Sequence, residues 1–461
     1  MGIDNRLDLL KKVQKSKENT KAYERLSLLF DNENFLDIDS LTRSKIDDAE
    51  VASGFGPIGG FPAYAFAQNS DIKGGAMSRA QAAKICKVFE LAQMTGVPIV
   101  GIYDSVGGYL TDGEESLAAY GDILLKSNNI SGVVPQISVI LGPCLGSSAL
   151  VAASSDIIIA SENVDFSLET NGENKLTANS DIVHIIAKND IDALNMVKKV
   201  VVSLPSNNLM AAALSEYANG KNFNKEMMSI AYDIDSGKLD GSARKIINCL
   251  VDVDSFIELQ KDFGKAFVLG IAKLTGVTIG VIASEGMKID SDSCSKAARF
   301  IRFCDAFSIP VISFVNSTGF TSLREASKLS NAYSEATTAK ITVIVGDAYG
   351  PLYIATAGNG ANADLTLAWP TASVCALSPE TAAIFLYGEE LSKSKNPIED
   401  RKRLINAYKD RETSPFKAAA NGFIQDIIDP ADTRFKVICA LDMLSSKRVS
   451  RLPKKHSNIQ V

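Results

Sequence analysis

The sequence predicts an α/β protein built from two tandem copies of one domain. Two observations carry this. Short, Gly-punctuated apolar runs alternate with longer helical stretches, the pattern of a mainly parallel sheet with crossover helices. From about residue 267 the same order of elements then returns. Residues 267–284 (FVLGIAKLTGVTIGVIAS) answer 51–68 (VASGFGPIGGFPAYAFAQ), with Gly54 and Gly270 offset by 216. Residues 297–320 answer 82–109, and Pro98 pairs with Pro310 at an offset of 212. Residues 341–350 (ITVIVGDAYG) answer 137–146 (ISVILGPCLG) at 204. The offset drifts only through small loop deletions, so this is a two-fold duplication with a period too long for a solenoid.

In chain order, the first fifty residues read as helical and polar, ending in LFDNENFLDID. FPAYAFAQ (61–68), VPIVGIYDS (97–105), ISVILGPC (137–144) and SDIIIAS (155–161) read as strands, and RAQAAKICKVFELAQMTG (79–96) as a helix. A polar stretch near 205–245 (LPSNN, GKNFNKE, DIDSGKLDGS) reads as the link between the copies. The expected domains are therefore 1–215 and 216–461. The tail from NPIEDRK to DPADTR reads as helical and charged, a packing or partner element.

Composition narrows the function. The 461 residues are 46% hydrophobic and 22% charged, an ordinary globular profile. With 48 Lys plus Arg against 54 Asp plus Glu and no dense basic stretch, the electrostatic footprint of nucleic-acid binding is missing. Apolar runs are broken well before the ~18 residues of a membrane span. The charged start lacks the apolar core of a secretory signal. Seven cysteines lie far apart with no CxxC, which fits reduced, buried thiols in a cytoplasmic protein. Two histidines, His184 and His456, leave a His-based metal site or hydrolytic triad without material.

Chemistry is expected where strands run into helices through glycine: 104–113 (DSVGGYLTDG), 142–150 (GPCLGSSAL), 316–320 (NSTGF) and 347–353 (DAYGPLY). Glycine there permits positive φ and close approach of a ligand, and the helix start supplies free N–H donors. Such donors suit a developing oxyanion, for instance a thioester enolate. Tight-turn packing explains any one of these junctions more readily than a site does; four at matching places point to a site. GxSxG, HExxH, a phosphate loop and a GxGxxG after a strand are absent. Glu114 and Glu115 read as a solvated helix start before an acid/base pair, and His184 as a hydrogen-bonded structural residue.

The segments KENTKAYERLSLLFDNENF, GGAMSRAQAAKICKVFELAQMTGVPIVGIYDS, VVPQISVILGPC, ARFIRFCDAFSIPVISFV, AYSEATTAKITVIV, LAWPTASV and SPFKAAANGFIQDIIDPADTRFKVICALDMLSSKR, with the closing KKHSNI, carry a specific resemblance. The chain resembles the carboxyltransferase subunit of biotin-dependent acyl-CoA carboxylases, the propionyl-CoA carboxylase β-chain type. It is also similar to methylmalonyl-CoA decarboxylase α-subunits. The resemblance implies two crotonase-like ββα-spiral domains, the first taking acyl-CoA and the second biotin from the dimer partner's side, in a hexamer built as a trimer of dimers. It implies carboxyl transfer between biotin on a separate carrier protein and the α-carbon of a short acyl-CoA, without a metal. The partners it implies are a biotin carboxyl carrier protein with either a biotin carboxylase or a membrane decarboxylase subunit. No contact with nucleic acid and no direct membrane insertion is implied. Gly146 and Ser147 would serve the acyl oxyanion and Gly350 and Leu352 that of biotin, while Gly107, Gly108, Tyr109, Gly319 and Phe320 would bind substrate.

The sequence departs from that family at the same glycines. GPCAGGA is here Gly142 to Ser148 (GPCLGSS), and YGGAY is Tyr349 to Tyr353 (YGPLY), where Pro351 has no N–H. DSGGAR is Asp104 to Tyr109 (DSVGGY), the D-x-PGF-x-PG loop is Asn316 to Ser322 (NSTGFTS) with shortening after it, and the stretch from Asn163 to Ser180 is shortened. These departures motivate a second expectation, a degenerate paralogue that partners an active carboxyltransferase. A third, a crotonase-type hydratase or thioesterase, lacks a placed acid/base pair.

Overall fold

The computed structural model describes residues 3–42, 51–109, 113–168, 181–215, 224–238, 241–358, 362–450, 452–455 and 457–458. The chain divides into two compact units, Met1–Ala213 and Leu214–Val461. His456 and most of the shortened stretch from Asn163 to Ser180 lie outside the described residues.

The first unit opens on two helices, α1 (Ile3–Glu18) and α2 (Lys21–Leu29), and a short strand, β1 (Leu36–Asp37). Thr20 caps α2 by accepting the Tyr23 N–H, and α2 buries Arg25, Leu26 and Leu29 on one face. The hairpin β2 (Val51–Ile58) and β3 (Phe61–Gln68) turns at Gly59 and Gly60, with φ of 59° and 82°. A two-residue hairpin turn with positive φ at both positions follows the right-handed strand twist, and glycine takes it without strain. After α3 (Arg79–Thr95), closed by Gly96 at φ 66°, come β4 (Ile99–Ser105), α4 (Glu114–Asn129), β5 (Gln136–Leu145), α5 (Ser147–Ala153), β6 (Ile157–Ser161), β7 (Phe166–Ser167), β8 (Ile185–Ala187) and α6 (Asp190–Ser203). The sheet order is β1-β2-β3-β4-β5-β6-β8, with β7 beside β5, and pairing is parallel from β3 onward. β4 is buried along its whole length, as expected of an apolar strand covered on both faces.

The second unit repeats this plan. It runs α7 (Asn224–Asp235), α8 (Ser242–Leu250), β9 (Ile257–Glu258), β10 (Phe267–Leu274), β11 (Val277–Ser284), α9 (Ser291–Ala306), β12 (Val311–Ser317), α10 (Leu323–Glu335), β13 (Lys340–Tyr349), α11 (Pro351–Thr356), β14 (Leu365–Ala368) and β15 (Ser373–Cys375). Then follow α12 (Pro379–Ser392), α13 (Pro397–Glu412), α14 (Pro415–Ala420), β16 (Asp426–Ile427) and α15 (Thr433–Leu444). Its sheet order, β16-β14-β13-β12-β11-β10-β9 with β15 beside β13, is that of the first unit strand for strand. The charged tail thus packs within this unit, where β16 closes the sheet edge beside β14.

The polar stretch near 205–245 is not a plain link. Its described part contains α7, which buries Met227, Ile230, Ala231 and Ile234 in the second core. Apolar residues at helical spacing outweigh the polar residues between them.

The duplication reaches individual hydrogen bonds. Asp31 accepts the N–H groups of Gly59 and Gly60, while Asp252 accepts those of Thr275 and Gly276 in the matching hairpin turn. Lys84 on α3 donates to the Val51 carbonyl at 2.7 Å. Its counterpart Lys296 on α9 donates to the carbonyls of Gln260, Phe263 and Phe267.

Candidate active site

β4 and β5 run parallel in register until Tyr103 opposite Ile140; the next pair is Ser105 opposite Cys144. One residue of β4, Asp104, therefore faces three of β5. The second unit has the same irregularity, Val315 opposite Ile344 and then Ser317 opposite Ala348, with Asn316 in the gap. Both side chains press on a glycine of the neighbouring strand. A Cβ on Gly142 would lie 2.1 Å from Asp104 Oδ1, and one on Gly346 would lie 2.2 Å from Asn316 Oδ1. Bulges of this kind bend a strand and re-aim its end. Asp104 is held by Arg25 at 2.6 Å and by the Ser70 hydroxyl at 2.7 Å. Arg25 also reaches the Leu141 carbonyl and Asp190.

Beyond the bulge the chain turns at Gly107, φ 114°. The Met77 N–H donates to the Gly107 carbonyl and the Tyr109 N–H to the Met77 carbonyl, so Gly108 forms a parallel bridge with Met77. In such a bridge the N–H of the middle residue faces away from the partner strand. A Cβ on Gly107 would stand 3.5 Å from the Leu145 carbonyl oxygen, which places this turn beside the end of β5. There Gly146, φ 58° and ψ −125°, hands the chain to α5 with Ser147 as its first residue. The first N–H groups of a helix have no intrahelical acceptor. Among the described residues, neither the Gly108 nor the Ser147 N–H has an acceptor.

The second unit builds the same pair of turns. Ile289 takes the place of Met77, bonding the Gly319 carbonyl and the Thr321 N–H, and Phe320 occupies the position of Gly108. Gly350, φ 45° and ψ −114°, opens α11 in the geometry of Gly146, and Pro351 stands where Ser147 stands. Proline suits the first helical position, so the turn is kept while its N–H is lost. The Leu352 N–H follows at the next position, with its side chain fully buried.

All nine residues singled out in the sequence therefore fall on these turns or directly beside them. Tyr109 lies beside Gly108, its ring 4.3 Å from the Lys73 ammonium. Glu115 pairs with Arg79 at the exposed start of α4. His184 is buried, and its Nδ1 accepts the Ile158 N–H at 3.0 Å. Beneath the first turn, burial pushes the Cys144 thiol and the Tyr120 hydroxyl up to about 12, so both stay protonated and act as donors rather than bases. Asp104 and Asn316 open two of the junctions read from the sequence but were given no role there, and Arg25 and Tyr120 escaped sequence reasoning. The visible trace of the first two is a polar residue followed three places on by glycine, repeated at the 212 offset. What the geometry offers is a pair of outward backbone donors in the first unit and a pair short of one in the second.

The sequence pattern of the carboxyl transferase domain matches residues 13–459. The chain belongs to the carboxyl transferase domain family. A propionyl-CoA carboxylase carboxyltransferase subunit from Haloferax mediterranei is 33% identical, covering 97% of this chain and 94% of that one. The methylmalonyl-CoA decarboxylase α-subunit of Veillonella parvula is 34% identical, with 97% and 95% covered. The crystal structure of transcarboxylase 12S, a hexamer with hydrolysed methylmalonyl-CoA bound, superposes with a TM-score of 0.89 at 29% identity over 100% of this chain and 99% of that one. The two-domain crotonase-like fold of this carboxyltransferase is that of transcarboxylase 12S. Carboxyl transfer is its reaction class, and of the readings the sequence left open this favours the enzyme.

Proposed function

We propose that the protein moves a carboxyl group between biotin on a separate carrier protein and the α-carbon of a short acyl-CoA, acetyl-, propionyl- or methylmalonyl-CoA. The observation that carries this is the pair of outward N–H donors at Gly108 and Ser147. The thioester oxygen would sit between them, so that the negative charge of the enolate develops against fixed donors. Gly107, Gly146 and Tyr109 line the same place. Biotin, when bound, supplies the carboxyl group on its ureido nitrogen and a base for the α-proton. The second turn fits its ureido oxygen through the Phe320 and Leu352 N–H groups, with Gly319 and Gly350 allowing close approach. The cavities between α7 and α8 (about 670 Å³) and between α12 and α13 (about 710 Å³) include no residue of either turn. A second copy covering the turns, in a hexamer like that of transcarboxylase 12S, would supply the missing wall. The carrier protein, and a biotin carboxylase or a membrane decarboxylase subunit, complete the system.

Calorimetry with acetyl-, propionyl- and methylmalonyl-CoA tests the reading, together with transfer of labelled carboxylate from methylmalonyl-CoA to free biotin. Binding of at least one thioester and appearance of labelled carboxybiotin are expected. No binding to any of the three at millimolar concentration overturns it.

A further inference from the structure

We infer that Tyr120 is a positioning residue for the first oxyanion donor, a role that rests on the placement of the thioester oxygen at Gly108 and Ser147. The carbonyl of Gly107 collects three donors: the Met77 N–H at 3.2 Å, the Ser105 hydroxyl at 3.2 Å and the Tyr120 hydroxyl at 3.0 Å. That carbonyl and the Gly108 N–H belong to one planar peptide and point in opposite directions. Fixing the oxygen on one side therefore aims the hydrogen on the other. Donors on the oxygen also polarise the peptide and make its N–H a stronger donor. The ring of Tyr120 lies beside the same peptide. A Cβ on Gly108 would lie 1.9 Å from Ser116 Oγ and 3.7 Å from Tyr120 Cε2, so α4 is packed directly against this backbone.

The second unit lacks the device. There the Gly319 carbonyl receives only the Ile289 N–H and the Ser317 hydroxyl among the described residues. Residue 332, at the offset of 212 from Tyr120, is alanine, and the hydroxyl of neighbouring Tyr333 is spent on Ser313 at 2.8 Å. Tyr120 thus serves the turn that would face the acyl group.

The test uses the intact protein and two CoA analogues. A nitroalkyl-CoA thioether, ionised to its nitronate, presents a planar oxyanion; a propyl-CoA thioether presents none. Tyr120→Phe keeps the ring and removes one donor. It is expected to weaken nitronate binding about tenfold and thioether binding less than about twofold. The kcat of transfer should fall by the same factor as nitronate binding, with the KM for acyl-CoA held. Ser105→Ala removes another donor from the same carbonyl and should give the same split, so it carries the test if Tyr120→Phe does not fold. Equal weakening of both analogues, or unchanged nitronate binding, overturns the inference. A wild-type protein with no preference for the nitronate overturns the underlying placement of the thioester oxygen, and the two failures are told apart by that measurement.

Discussion

Arg25 donates to Asp104 across 2.6 Å, tying the second helix of the chain to the bulge at the end of β4. Both side chains are buried, and Arg25 bonds Asp190 and the Leu141 carbonyl as well. Removing one partner of a buried pair leaves the other uncompensated. Arg25→Met is expected to destabilise the first unit by about 3–5 kcal/mol. Hydrogen exchange of the β4 and β5 amides would register the loss, and unchanged protection there would show that the pair is dispensable.

Alanine at Gly142 or Gly346 places a methyl group against Asp104 or Asn316, at the 2.1 and 2.2 Å separations given above. Each single variant should cost about 1–3 kcal/mol through overpacking. The two differ in rescue. Adding Asn316→Ala to Gly346→Ala opens the space and should restore most of the stability, because Asn316 is neutral. Adding Asp104→Ala to Gly142→Ala should not, because Arg25 then loses its closest carboxylate. Two double-mutant cycles by urea unfolding decide it.

Proline at the first helical position can be moved between the turns. Ser147→Pro keeps the backbone path that Pro351 already follows in the second unit and deletes one N–H. A loss of about a hundredfold or more in kcat is expected, with little change in thermal stability. Pro351→Gly adds an N–H in the opposite sense. It should raise transfer to free biotin by up to about a hundredfold, less whatever the looser loop costs. A rate unchanged or lowered in an active protein would show that position 351 is not a missing donor.

Burial lowers the Lys296 ammonium from 10.5 to about 8. Below that value folded and unfolded chains both hold the proton, and the folded state bears the full desolvation cost. Between about 8 and 10.5 the unfolded chain binds more protons, so stability rises with pH. Relative to Lys296→Met, the wild-type protein should gain on the order of 3 kcal/mol across that window. Urea midpoints of both proteins from pH 7 to 10.5 measure it, and parallel curves would mean that the three carbonyl acceptors keep the ammonium charged.

The duplication was legible because backbone demands repeat as residues: Gly54 with Gly270, Pro98 with Pro310, Gly146 with Gly350. The glycines of the turns were legible for the same reason, since only glycine takes the backbone that Gly146 and Gly350 adopt. The parts that support them were not. Arg25 lies 79 residues from Asp104, and Tyr120 reaches Gly107 from the next helix. Neither distance follows a helical or strand period. The helix at 224–235 was hidden for another reason: four apolar residues on one face were outnumbered by polar neighbours.

The proposed oxyanion donors are drawn from the main chain, which has an evolutionary consequence. The hydrogen at position 147 belongs to the peptide and not to the serine, so exchange of one side chain for another leaves it in place. Among all the replacements open to that position, proline alone takes it away. In the proposed site, exchange of Ser147 for any residue other than proline would therefore keep the donor, and a single codon for proline would remove it while the turn is kept.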